Sequence, residues 1–127
     1  MFFQEDKLIK AILDDDLASA RKQFRIPGGR KENNLLHLAA YSNSVRVARF
    51  LIDSGEEVNS VNGIGDTPLH VAARYNAWET ADLLLSCGAR IHSPNHAGQT
   101  PLDIAVSSGN SKLAELLRLA AKQPAAK

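Results

Sequence analysis

The feature that most constrains this chain of 127 residues is a repeat with a period of 33 residues. Three similar segments, NLLHLAA, TPLHVAA and TPLDIAV, begin at residues 34, 67 and 100, so each starts 33 residues after the one before it. An apolar run with helical spacing follows each segment. A repeat of this length is typical of proteins whose units stack, because a single unit cannot bury its apolar face alone.

Each unit has the pattern of two short helices joined by a turn. Thr67 and Thr100 can each accept a backbone N–H at a helix start, and the proline that follows each of them fits the first helical position. Asn43, Asn76 and Gly109 stand between the two helices, and all three residue types tolerate a positive φ. We therefore predict one antiparallel helix pair in each unit.

The three segments resemble the Thr-Pro-Leu-His-x-Ala-Ala signature of ankyrin repeats. The signature is complete at residues 67–73, nearly complete at 100–106, and lacks its Thr and Pro at 34–40. The resemblance implies an all-α fold, an ankyrin-repeat solenoid of stacked antiparallel helix pairs joined by β-turn fingers. It also implies that the signature histidines, His37 and His70, are structural and tie a helix start to a neighbouring turn.

The repeat register divides the chain into units with shortened or polar ends. We expect one domain, 1–127, which consists of an N-terminal capping helix pair, two repeats, a C-terminal capping repeat and a tail, at residues 1–28, 29–61, 62–94, 95–122 and 123–127. Asp15 or Asp16 is expected to cap the helix that begins at Leu17. Because both ends have the character of caps, we expect a domain that is stable by itself, whether it is a whole protein or an excised part.

Composition indicates the cellular compartment of the protein and the classes of partner that it can bind. The 15 Lys and Arg residues nearly balance 14 Asp and Glu residues, so the net charge of +1 gives little attraction to nucleic acid or to an anionic membrane. The basic stretch at residues 21–31 is read as a solvated surface or as a contact for an acidic partner. The single cysteine, Cys87, excludes an intrachain disulfide. Without a signal peptide or a membrane-length apolar run, we expect a soluble protein of the cytoplasm or nucleus.

The sequence contains no pattern typical of an enzyme. His92 and His96 are four residues apart, but Pro94 places them in a turn and no third ligand accompanies them. Neither Cys87 nor any serine stands in a sequence motif typical of a catalytic nucleophile. We therefore expect a non-catalytic protein that needs no metal or cofactor.

The resemblance places partner binding on the concave face of the stack, where finger turns and first helices lie. Arginine, tyrosine and tryptophan are enriched at binding hot spots, and the second complete unit has all three close together. Trp78 can also be read as a residue that packs at the rim between helices. Either Tyr75→Ala or Arg74→Glu is expected to weaken binding without unfolding the domain. The predicted contact residues are Arg30, Lys31, Asn33, Tyr41, Ile64, Asp66, Arg74, Tyr75, Trp78, His96, Gln99 and Ser107.

These observations predict a protein–protein interaction module that acts as a monomer or in a hetero-complex with another protein. The alternative is a targeting or inhibitory subunit, or an excised domain, of a larger enzyme assembly. One further resemblance concerns residues 51–59, which are similar to the context in which an asparagine-hydroxylating dioxygenase modifies ankyrin repeats. Asn59 is therefore either a modification site or a residue that hydrogen-bonds the turn.

Overall fold

The computed structural model describes residues 4–23 and 34–122, and for residues 4–6 the backbone alone. In these two ranges the chain forms eight helices, in four successive pairs, and no strand. The helices are α1 (Gln4–Leu13), α2 (Leu17–Gln23), α3 (Leu35–Tyr41), α4 (Val45–Asp53), α5 (Pro68–Arg74), α6 (Trp78–Ser86), α7 (Pro101–Ser107) and α8 (Ser111–Lys122). Each of the four units predicted from the repeat register contains one pair.

The helix starts follow the signature. Thr67 precedes α5, and its side chain accepts a hydrogen bond from the backbone N–H of His70, while the His70 side chain accepts one from Thr67 N. Thr100 and Asp103 form the same pair of hydrogen bonds at the start of α7. At α3 the corresponding residue is Asn34, which has a left-handed backbone (φ 50°) and makes no side-chain cap. In the first pair Asp16 caps α2, since its carboxylate accepts from Ser19 N at 3.1 Å. The predicted caps at Thr67 and Thr100 are thus confirmed.

The turns inside the pairs use left-handed residues. Asn43, Asn76 and Gly109 have φ values of 53°, 57° and 77°, as predicted, and Asp15 takes the same place in the first pair with φ 52°. A turn residue in this conformation reverses the chain within two or three residues. The second helix of each pair is therefore brought back against the first.

Packing between pairs is uneven and curves the stack. The first helices α3, α5 and α7 contact one another more extensively than the second helices α4, α6 and α8 do. The alanines that end the signature, at 39, 40, 72, 73 and 105, are all completely buried and let the first helices approach closely. Because the first helices are closer together, they and the fingers line the concave side, and the second helices form the convex side.

The fingers are β-turns held by asparagine side chains. Gly65 N donates to Asn62 O, and the Asn62 carboxamide oxygen accepts from Ile64 N and Asp66 N. Asn95 repeats this arrangement 33 residues later. His96 N donates to Ile64 O at 3.0 Å, which joins the two fingers.

The signature histidines connect helices to fingers, as the resemblance implied. The Nε2 atom of His37 lies 2.7 Å from Asp66 O, and that of His70 lies 2.9 Å from Gln99 O. Each bond links one unit to the finger of the next. In the described part of the chain, no helix has the length and apolarity needed to cross a membrane.

Candidate functional site

An aromatic pair is the most prominent exposed feature of the concave side. Tyr41 is the last residue of α3 and Tyr75 follows the last residue of α5. Their ring centroids are 4.7 Å apart with an interplanar angle of 79°, which is the edge-to-face geometry that aromatic rings prefer. Although each supports the other, Tyr41 is 53% exposed and Tyr75 is 52% exposed. The pair therefore presents rigid apolar surface to solvent.

An open pocket of about 410 Å³ adjoins this pair. Leu38 of α3 and Val71 of α5 occupy equivalent positions in consecutive repeats and line it together with Tyr41. Among the described residues, Asn34 and His37 complete the lining. A pocket with this composition can accept an apolar side chain against the tyrosine ring.

His37 is the buried polar group of the pocket wall, with 5% of its surface exposed. Burial lowers the pKa of His37, while the hydrogen bond to Asp66 O acts in the opposite direction without cancelling that effect. Its Nδ1 atom has no hydrogen-bond partner among the described residues. In the next repeat the corresponding atom of His70 accepts from Thr67 N, where Thr67 has an extended backbone. The equivalent residue Asn34 has a left-handed backbone instead.

Asp66, predicted as a contact residue, has a structural role and is removed from the accessible surface. It is 1% exposed, its carboxylate accepts from Arg74 Nη1 at 2.7 Å and from Asn95 Nδ2 at 2.9 Å, and nothing of it is left for a partner to reach. Burial acts to raise the pKa of Asp66, but these two hydrogen bonds and the positive charge of Arg74 outweigh it, so the pKa lies below its usual range.

Arg74 holds the finger against α5 through this ion pair, with 32% of its side chain exposed. A glutamate at this position would face the buried carboxylate of Asp66. The expectation that Arg74→Glu leaves the domain intact stays a prediction, and this like-charge contact with Asp66, which the sequence did not show, argues against it. Tyr75 remains a clean position for testing this surface.

The other predicted contact residues are distributed along the fingers and α7. Ile64 stands 58% exposed at a finger tip and His96 is exposed on the next finger. The two fingers approach so closely that a Cβ at Gly65 would lie 2.6 Å from the His96 ring. Gln99 is half-buried and Ser107 is exposed at the end of α7. Arg30, Lys31 and Asn33 lie outside the described residues.

Trp78 does not belong to this surface. It is the first residue of α6, is 39% exposed, and lines a different pocket of about 530 Å³ between second helices. The sequence grouped it with Arg74 and Tyr75 because only two residues separate it from Tyr75. The left-handed turn at Asn76 reverses the chain and carries Trp78 to the convex side.

Asn59 makes the hydrogen bonds expected of a residue that holds the turn. Its Nδ2 donates to Gly88 O at 3.1 Å, and its Oδ1 accepts from Arg90 N at 2.9 Å. These bonds fasten the turn after α4 to the turn after α6. Modification of Asn59 stays a prediction.

The contact residues predicted from the sequence do not include three residues of the pocket: Leu38, Val71 and His37. Leu38 and Val71 lie within α3 and α5 at apolar helical positions, and nothing in the local sequence distinguishes an exposed pocket wall from the core at such positions. Within residues 4–23 and 34–122, no group of three His, Cys, Asp or Glu residues is arranged to hold a metal ion.

Comparison with known families identifies the repeat. A model for ankyrin repeats in three copies matches residues 4–95 and, in a second match, residues 36–126. The two matches together span nearly the whole chain and include every helix described above. No curated protein matches the chain at a significant level.

Proposed function

This chain belongs to the ankyrin repeat family, and on that basis we propose that it binds another protein through the concave surface around Tyr41 and Tyr75. Ankyrin repeats are generally protein–protein interaction modules, and domains of this kind are typically non-catalytic. The partner supplies an apolar side chain that enters the pocket beside the tyrosine pair.

The exposed Tyr41–Tyr75 pair is the observation that carries this proposal. Two large rings that are more than half exposed, yet fixed against each other, provide contact area at little entropic cost on binding. Tyrosine is also among the residues most often found at binding hot spots. The pocket lined by Leu38 and Val71 gives the pair a concave neighbour into which a partner can insert.

The first experiment is affinity capture from the source organism with quantitative mass spectrometry. Wild type is compared with a Tyr41→Ser/Tyr75→Ser variant and with Leu119→Ser as a matched control. Leu119 is 52% exposed on α8, so this control removes exposed apolar surface from another place. We expect a protein that wild type and the control retain and the tyrosine variant loses.

Calorimetry with the purified partner then measures the effect. Loss of one such anchor typically reduces the binding free energy by about 2 kcal/mol or more. We therefore expect the dissociation constant of Tyr75→Ala to be larger by a factor of about thirty or more. Thermal unfolding of each variant establishes that the domain is folded. A partner that binds the folded tyrosine variant as tightly as wild type would show that the contact surface lies elsewhere.

A further inference from the structure

The convex side has a charge pattern that the concave-surface proposal does not use. Arg46 and Arg49 on α4 are replaced, 33 residues later on α6, by Glu79 and Asp82. All four side chains are exposed, and they line the two walls of the pocket between these helices. Equivalent positions in stacked repeats lie at the same height, so a basic helix stands beside an acidic helix with their charges level.

An apolar row crosses the same helices at their N-terminal ends. Leu17, Val45 and Trp78 are the first residues of α2, α4 and α6, and all three line the pocket of about 530 Å³. Trp78 has the largest side chain of the row and is 39% exposed. The surface thus combines an apolar centre with charges of both signs.

Two of these four charged side chains form an ion pair or a hydrogen bond within the described part of the chain. Arg46 pairs with Asp15 at 3.3 Å while its side chain stays 66% exposed, and Glu79 accepts a hydrogen bond from Asn43. Among the described residues, the side chains of Arg49 and Asp82 have no ion pair within 4 Å. Both remain open to a partner of opposite charge.

We propose that this convex surface binds a second copy of the chain to form a two-fold symmetric dimer. In an isologous interface each copy uses the same patch, so the patch must be complementary to itself. A two-fold axis parallel to the helices and midway between α4 and α6 places α4 of each copy over α6 of the other. Arg46 then faces Glu79, Arg49 faces Asp82, and Trp78 faces Val45, each twice.

The charge pattern selects this axis. A two-fold axis in the interface plane but perpendicular to the helices would place α4 over α4 and α6 over α6. Arginine would then face arginine and carboxylate would face carboxylate, which disfavours association. The net charge of +1 adds little overall repulsion between copies.

The curvature of the stack limits the size of this dimer. Two convex surfaces meet only near their centres, where α4 and α6 lie. An interface of two helices from each copy is at the small end of the known range, so we expect a weak dimer with a dissociation constant of roughly 10–100 µM. The sequence favoured a monomer or a hetero-complex, and this dimer is the alternative to a monomer. It leaves both concave surfaces facing outward.

Trp78 gives a direct readout, because it is the sole tryptophan of the chain. Sedimentation velocity of wild type from about 1 µM to about 1 mM is expected to show a monomer–dimer equilibrium. Over the same range Trp78 emission should shift to shorter wavelength and become less accessible to iodide. Added salt should weaken the association, since exposed charges are screened.

Charge reversal tests the proposed contacts. Arg49→Glu and Asp82→Arg each place like charges together at two symmetric positions, so each should weaken self-association at least about tenfold. The double variant Arg49→Glu/Asp82→Arg exchanges the two signs and should restore it, as should an equimolar mixture of the single variants. Arg90→Glu, an exposed arginine away from the patch, changes the net charge equally and should leave the dimer unchanged.

Restoration in the double variant shows that loss in the single variants did not come from unfolding. A wild-type chain that is monomeric up to about 1 mM overturns the dimer. So does self-association that both single reversals leave unaltered, or that the double variant fails to restore. Because Tyr41 and Tyr75 lie on the opposite side, none of these outcomes bears on partner binding at the concave surface.

Discussion

At the scale of single residues, an ion pair between a half-buried arginine and a buried carboxylate fixes the finger at residues 62–66. The Asp66 carboxylate is buried, and Arg74 Nη1 lies 2.7 Å from it. Asn95 from the next finger donates a second hydrogen bond to the same carboxylate. A buried carboxylate that loses its cation keeps its desolvation cost, so the two residues depend on each other.

We expect Arg74→Ala to lower the free energy of unfolding by about 1–3 kcal/mol, because it leaves Asp66 buried with fewer donors. Urea denaturation of wild type, Arg74→Ala, Asp66→Asn and the double variant measures this. The double variant should be more stable than the sum of the single losses implies, since an amide at position 66 needs no cation. Strictly additive losses would contradict the coupling.

His37 makes stability depend on pH, because its pKa is lowered in the folded chain mainly by burial. Above the unfolded pKa of about 6.5 the imidazole is neutral in both states, and its contribution to stability is fully present. As the pH falls below that value, the unfolded chain takes up a proton more readily than the folded chain does. Stability is therefore lost until the folded pKa is reached.

We expect the urea midpoint of wild type to fall between about pH 7.5 and about pH 5.5, and His37→Gln to reduce that fall. Glutamine keeps an N–H that can donate to Asp66 O but does not titrate. The Asp66 carboxylate titrates below its usual range and so does not contribute in this window. An unchanged pH profile in His37→Gln would assign the effect to another histidine.

At the scale of elements, one turn residue links consecutive helix pairs. Asn43 has the left-handed conformation its turn needs, and its side-chain oxygen accepts from Thr80 N at 3.1 Å and from Thr80 Oγ1 at 2.9 Å. It therefore satisfies a donor at the start of α6 while it reverses the chain after α3. Asp15 does the same for Val47 N of α4.

Glycine substitution separates these two roles, because glycine adopts a positive φ without strain. Asn43→Gly keeps the turn but removes the bonds to α6, so we expect a loss of about 1–2 kcal/mol in unfolding free energy. Asn76→Gly is the matched control, since Asn76 has nearly the same φ and no side-chain hydrogen bond among those described. Equal losses in both variants would show that the cross-repeat bonds contribute nothing.

The features predicted well from the sequence depend on local chemistry. Thr67 caps α5 and Asn76 adopts a positive φ because the residue type and its immediate neighbours are sufficient. The errors concern tertiary placement: Asp66 is buried by an arginine eight residues away and an asparagine 29 residues away. Trp78 was placed on the wrong side because a two-residue turn changes the surface to which a side chain belongs.

At the scale of the whole molecule, the described helix pairs form a one-dimensional array in which each pair packs mainly against its neighbours. Among the described helices, the pair α5–α6 is covered on both sides, whereas α1–α2 packs against one neighbouring pair. In such arrays local opening begins where the fewest interfaces must be broken. The first pair also has no signature of its own, and Asp15 connects it to Arg46 and Val47 of α4.

We therefore expect backbone amides in α5 to exchange hydrogen most slowly, with protection decreasing toward α1 and α8. Hydrogen exchange with mass spectrometry measures this, at about 1 µM so that association between copies does not add protection to α4 and α6. Asn43→Gly should then speed exchange in α3 and α4 relative to α5, because it loosens the interface between those pairs. Equal protection in all helices would mean that the four pairs open as one cooperative unit, in which case the loss from Asn43→Gly would be shared by the whole chain.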